Sequence, residues 1–193
     1  MTKHAEVGDA VYQIVKLNKE LTAFWGDAEG WASIKSADLL SRSRLDRQVS
    51  LSESLYHWID VKDISDGDLI LAWVNLGSLV EGTMMLFLSV YYDDYKNDLN
   101  DSGVLTEPDY LTLDKLKTYF NKQQILKHRK VFMEFIELVQ KRRNAIHSFR
   151  NRDIGNHLEF YKAVSDYCEF IQYVRSMLPY PDDTISYGQW HYE

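Results

Sequence analysis

Apolar side chains recur three and four positions apart along most of this chain, the spacing that gathers them on one face of an α-helix. Only nine Gly and three Pro interrupt the sequence, and so few breakers favour long helices over a many-turned β fold. The pattern therefore predicts an all-α bundle of about five to seven helices. We expect helices over residues 7–25, 31–41, 68–97, 113–123, 127–149 and 157–178.

The stretches between these helices are less regular. Residues 41–50 are polar and basic and indicate no single structure, whereas residues 52–61 are expected to add a helical turn or two. The small and acidic residues at positions 63–68 are those favoured at a turn and at a helix N-cap. Residues 96–108 have the composition of a loop.

The predicted helix over residues 68–97 is apolar on nearly all faces in its middle. Its hydropathy approaches that of a membrane span, but Asn75 and Glu81 interrupt it, and acidic residues flank it without basic anchors. We interpret this stretch as the buried central helix of the bundle, with neighbours on several sides.

Composition indicates the cellular compartment of the protein. Cys168 is the only cysteine, so no internal disulfide can form and nothing indicates an oxidising compartment. The first twenty residues are polar and lack the apolar region of a signal peptide. We therefore predict a cytoplasmic protein with one helical domain over residues 1–178 and an aromatic, acidic C-terminal tail over residues 179–193.

Charge is unevenly distributed along the chain. The net charge is −7, yet the segment 127–152 carries +6, which leaves −13 for the rest. Such a local basic surface on an acidic body can bind a polyanion, although a solvated helix face has the same pattern. The eight basic residues are Lys127, Arg129, Lys130, Lys141, Arg142, Arg143, Arg150 and Arg152, opposed only by Glu134 and Glu137.

The best candidate for chemistry is Arg142 followed after four residues by His147, near the end of the helix predicted over residues 127–149. An arginine offers a permanently charged planar fork for phosphate, and a histidine titrates near neutral pH. At about 100° per residue, five positions separate the two side chains by roughly 140° around a straight helix. If both serve one site, the helix must end or distort before His147, or the site must span two subunits.

A helical wheel places Arg142 close to the centre of the apolar stripe formed by Phe132, Phe135, Ile136, Val139 and Ile146. It places His147 well off that stripe. A buried, unpaired guanidinium is costly, so Arg142 needs an acidic partner, a dimer cleft or a phosphate.

In these residues the chain resembles the HEPN superfamily (higher eukaryotes and prokaryotes nucleotide-binding domain), small helical bundles with an Arg-x4-6-His active site. The resemblance implies a metal-independent endoribonuclease of a bacterial defence, toxin–antitoxin or stress system. It also implies a homodimer with both motifs lining one cleft, RNA as substrate and no cofactor; an antitoxin or another protein partner is also possible, and no membrane is implied.

The resemblance also implies a role for each residue of the site. Arg142 would stabilise the scissile phosphate, and His147 would activate the RNA 2′-hydroxyl or protonate the leaving oxygen. We expect Arg143, Asn144 and Arg150 to bind substrate and Glu81 to orient or pair with Arg142. The sequence departs from the family pattern in having Arg143 directly after the motif Arg, where Asn is common, with Asn144 one place later.

Several alternatives stay open at this stage. Arg142 and Glu81 can form a purely structural ion pair, and His147 can be an ordinary histidine at a helix C-terminus, where its charge is favourable. A non-catalytic RNA- or protein-binding module on the same scaffold is then the second function hypothesis. No His-x3-His pair or cysteine cluster predicts a metal site.

Overall fold

In a computed structural model, the protein is described over residues 3–30, 32–59, 64–100, 106–147 and 149–180, and every regular element among them is helical. The predicted all-α class is therefore confirmed. The α-helices are α1 (Lys3–Trp25), α2 (Ile34–Arg42), α3 (Leu45–Glu53), α4 (Leu55–Ile59), α5 (Asp66–Val90), α6 (Tyr92–Asn100), α7 (Leu113–Lys122), α8 (Lys130–Arg143) and α9 (His157–Met177). Short 3-10 turns cover Pro108–Tyr110 and Asn144–Ile146.

Helix α5 lies at the centre of the bundle, as its apolar middle predicts. It contacts α2, α3, α4, α8 and α9, and its middle residues Trp73, Leu76 and Leu79 have no exposed surface. By length and composition alone it could cross a membrane, yet 61% of its most apolar window is buried inside the protein. A helix surrounded by neighbours on several sides needs apolar residues on several faces.

The helices around α5 close the core from both sides. Helix α1 packs along α9 and α3, while α8 packs on α5 and α9. Where α5 meets α9, the hydroxyl of Tyr167 lies 3.0 Å from that of Thr83, and both side chains are buried. Burial raises the pKa of Tyr167, so this hydroxyl stays protonated and pairs inside the core.

The N-terminal end of α5 agrees with the predicted capping. The Ser65 hydroxyl accepts a hydrogen bond from the Asp68 backbone N–H at 3.2 Å, and Asp66 and Asp68 place negative charge in the first turn. Acidic side chains are favourable there because helix N-termini carry partial positive charge. Asp63, the first residue of the predicted turn, lies outside the described residues, as do residues 60–62 before it and the tail from residue 181 onward.

The single helix expected over residues 68–97 is wrong. Helix α5 ends at Val90, Tyr91 leaves the helical conformation, and α6 starts at Tyr92. The Tyr91 hydroxyl at the break donates to the Met177 carbonyl at the end of α9, and Tyr92 and Tyr95 of α6 are buried. Periodicity alone missed the break because Tyr91, Tyr92 and Tyr95 continue the helical spacing of large side chains across it. Helix α6 also extends to Asn100, into the predicted loop.

Two further boundaries differ from the prediction. The indeterminate stretch 41–50 contains the end of α2 and most of α3, separated by a short turn at Ser43 and Arg44. The helix expected over residues 127–149 is shorter at both ends, running from Lys130 to Arg143. A turn precedes it, in which Gln124 has a φ of 54° and Leu126 is buried. Ile146, assigned to the buried stripe of that helix, is half-exposed beyond its end.

Candidate nucleic-acid interface at the connection between α8 and α9

Helix α8 ends where two consecutive arginines turn toward different neighbours. The chain then forms the 3-10 turn of residues 144–146, where the backbone N–H of His147 donates to the Asn144 carbonyl at 3.3 Å. We call residues 144–156 the α8–α9 connection. Its far end is tied to the core because the Trp73 indole N–H donates to the Ile154 carbonyl at 2.9 Å. The helix therefore ends before His147, which is one of the arrangements the motif spacing allowed.

Arg142 points into the protein, and its side chain is only 10% exposed. Its Nη1 lies 2.5 Å from Asp153 Oδ2 and also donates to the Asp153 carbonyl at 2.7 Å. Its Nη2 donates to Glu159 Oε2 at 2.9 Å. Its Nε–H is buried and has no acceptor among the described residues. The predicted burial of this guanidinium is confirmed, and acidic partners satisfy its charge.

The turn around Gly155 is shaped to hold these carboxylates. Gly155 has a φ of +68°, and its backbone N–H donates to Asp153 Oδ1 at 2.8 Å. A Cβ at this position would come within 1.9 Å of Glu159 Oε2 and 3.1 Å of Arg142 Nε. The hydrogen bonds from Arg142 and then from Gly155 hold the pKa of Asp153 below its usual value. The carboxylate therefore stays ionised beside the guanidinium.

Glu81 does not pair with Arg142, and that expectation is wrong. Its Oε2 instead accepts a hydrogen bond from Arg143 Nη1 at 2.9 Å. The Arg143 side chain reaches Glu81 by crossing α5 directly over Gly77, where an added Cβ would lie 2.7 Å from Arg143 Cδ. The two arginines thus fasten the end of α8 to different elements, Arg143 to α5 and Arg142 to the connection and the start of α9.

The remaining predicted site residues lie at the surface of the connection. His147 and Arg150 are exposed, whereas Asn144 is half-buried. Arg150 forms no ion pair with any of the described residues, in contrast to Arg142 and Arg143. Of the residues predicted to act on RNA, His147 and Arg150 are therefore the accessible ones, and Arg142 and Arg143 are held by carboxylates.

Sequence reasoning missed the exposed apolar side chains of this region. Phe149 is fully exposed, and Ile146 is 48% exposed. Leu158, in the first turn of α9, is 49% exposed. The signal was present, because Phe149 stands in a polar, basic stretch between His147 and Arg150. The expected helix over residues 127–149 included Phe149, so the combination of an exposed aromatic ring with adjacent cations was not recognised.

Other kinds of site find less support in the described part of the chain. No group of three or more His, Cys, Asp or Glu residues there is arranged to hold a metal ion. Two surface cavities, of about 390 and 320 Å³, lie away from the connection: one beside Trp25 and Tyr91, the other beside Arg44 and Gln48. Burial raises the pKa of the Cys168 thiol to about 11, which disfavours a nucleophilic thiolate.

Comparison with protein-family models, curated protein sequences and solved structures found no match to this chain.

Gly155→Ala should destabilise the protein by about 1–2 kcal/mol or more, because a positive φ is unfavourable for alanine and the new Cβ displaces Glu159 from Arg142. The matched control is Gly8→Ala in α1, where an added Cβ meets nothing within 4 Å. That change should stabilise by about 0.5–1 kcal/mol. Urea unfolding followed by circular dichroism measures both. Equal effects of the two substitutions would contradict the role given to the Gly155 turn.

Proposed function

We propose that this protein is an RNA-binding helical module and that the α8–α9 connection contacts single-stranded RNA. The observation that carries the proposal is the fully exposed ring of Phe149, placed between the accessible His147 and Arg150. Aromatic rings on which bases stack, together with cations for the phosphate backbone, are the usual elements of single-strand recognition.

Contacts that hold the connection against the core support this assignment. Ala145 is buried where the connection begins, in a turn that contacts α5. The ion pair of Arg142 with Asp153 and the hydrogen bond from Trp73 to Ile154 hold its far end. An exposed phenyl ring on a fixed segment loses little conformational entropy on binding. Arg142 and Arg143 are held by carboxylates, so Arg150 and the other exposed cations of the segment 127–152 supply the positive charge that attracts RNA to an otherwise acidic protein.

The burial of Arg142 and its ion pairs favour RNA binding without cleavage. A guanidinium that stabilises a scissile phosphate must face the substrate, but this one is nearly buried and is matched by Asp153 and Glu159. A phosphate would have to displace a carboxylate to reach it. The RNA-binding module on a HEPN-like scaffold therefore comes first among the functions the sequence suggested.

The test of RNA binding is fluorescence anisotropy with a labelled single-stranded RNA of mixed sequence. Phe149→Ala should weaken binding about tenfold, since stacking on one aromatic side chain contributes about 1–3 kcal/mol. Arg150→Gln should weaken it less. The control is Tyr110→Ala, which removes an exposed ring outside the connection and should leave the affinity unchanged. Failure of the wild type to bind, or equal binding by the Phe149 and Tyr110 variants, would overturn the proposal.

The second candidate is the metal-independent endoribonuclease that the resemblance to the HEPN superfamily implies. The specific observation in its favour is that His147 is exposed beside the proposed RNA contact, where an imidazole can move a proton to or from substrate. In this candidate two copies of the chain form a homodimer, and a second copy brings its own motif to the same cleft. A bacterial defence or toxin–antitoxin setting belongs to this candidate.

Cleavage is tested by incubating the same RNA with the protein in EDTA. If His147 is catalytic, products with 2′,3′-cyclic phosphate ends should form with wild type and be lost in His147→Ala. His57→Ala is the matched control because it removes another exposed histidine, in α4, outside both the connection and the start of α8. Absence of cleavage by a wild type that binds the RNA, or equal cleavage by both variants, would contradict the second candidate and leave the binding module.

A further inference from the structure

A second basic surface lies at the opposite end of α8 from the connection. Residues 127–130 read Lys-His-Arg-Lys, and all four are exposed. We call these four residues the α8-start cluster. Its Lys and Arg side chains form no ion pair with the residues described, whereas other surface cations, among them Lys19, Lys35, Lys117 and Lys162, do. The positive charge of this cluster is therefore available to an external partner.

The backbone of the α8-start cluster is held in place on both sides. Leu126 is buried immediately before it, and Phe132 is buried two residues after it. The Arg129 guanidinium also lies 6.0 Å from the centre of the Tyr173 ring of α9, a cation–π contact that orients this side chain. The cluster therefore presents its cations from a fixed position on the protein.

The α8-start cluster shares one face of α8 with Lys141, in the last turn of that helix. Lys130 and Lys141 are eleven positions apart, which is close to three full turns, so both project from one face. At 1.5 Å per residue their backbones are about 17 Å apart. Glu134 and Glu137 lie between them on the same face, and Glu137 is 3.9 Å from Lys117. A polyanion is therefore attracted at the two ends of α8 and repelled over its middle.

We infer that RNA bound at the α8–α9 connection makes a second, sequence-independent contact with the α8-start cluster through its phosphate backbone. This inference rests on the proposed function and adds the extent of its RNA-binding surface. RNA fits better than an acidic protein segment because it carries a phosphate charge at every nucleotide. In this arrangement the phosphates of one strand contact both ends of α8 while Phe149 stacks on a base.

The experiment compares a triple variant, Lys127→Gln with Arg129→Gln and Lys130→Gln, with a control triple of Lys16, Lys19 and Lys162 changed to Gln. Both remove three exposed positive charges. Affinity for a 20-nucleotide RNA is measured over a range of salt concentrations. Each phosphate contact contributes about 0.7 to the slope of log affinity against log salt for single strands. The cluster variant should lose about 2 from this slope and bind about tenfold more weakly than the control at low salt.

The outcomes separate this inference from the proposed function. Equal slopes and affinities for the two triple variants, with Phe149→Ala still weakening binding, would overturn the second contact alone. No binding by the wild type would overturn both. Polyglutamate is the competitor that tests an acidic protein segment: if it displaces RNA from the wild type as well as unlabelled RNA does, the cluster is not selective for RNA and the inference fails. Circular dichroism spectra confirm that each variant is folded.

Discussion

A guanidinium that is almost removed from water must be matched by carboxylates, and the end of α8 is arranged around this requirement. Arg142 reaches its partners at Asp153 and Glu159, one in the connection and the other in the first turn of α9. Removing one partner of a buried ion pair leaves an uncompensated charge, which costs far more than the pair itself contributes. The position of Arg142 therefore fixes how the chain leaves α8 and enters α9.

This arrangement also decides which side chains can meet a partner. Arg142 and Arg143 are held by carboxylates of different elements, so the segment between α8 and α9 carries the accessible groups. His147, Phe149 and Arg150 project from that segment, whose ends are fixed to the core. An exposed aromatic ring beside accessible cations is the combination on which the proposed RNA contact depends. The carboxylates that hold Arg142 and Arg143 leave these two arginines less available for catalysis.

The sequence allowed much of this fold to be predicted, because helical periodicity is a local property. It also predicted that Arg142 is buried and needs a counter-charge. Its partners could not be predicted, since Asp153 and Glu159 lie 11 and 17 residues further along and meet it only after the chain reverses. The expected pair with Glu81 was wrong because Arg143 reaches that carboxylate first, across a glycine on α5. The exposure of Phe149 depended on where α8 ends, and the apolar periodicity of that helix did not mark its end, although the polar, basic neighbours of Phe149 did suggest exposure.

The most direct test of a structural role for Arg142 is a double-mutant cycle with Glu159, using Arg142→Met, Glu159→Gln and the double variant in urea unfolding. Arg142 Nη2 lies 2.9 Å from Glu159 Oε2, and the Arg142 side chain is nearly buried. We therefore predict a coupling free energy between the two residues of about 1 kcal/mol or more. A substantial coupling would establish that Arg142 holds α9 to α8. Additive effects, agreeing within about 0.3–0.5 kcal/mol, would contradict this role and return Arg142 to consideration as a residue that binds substrate.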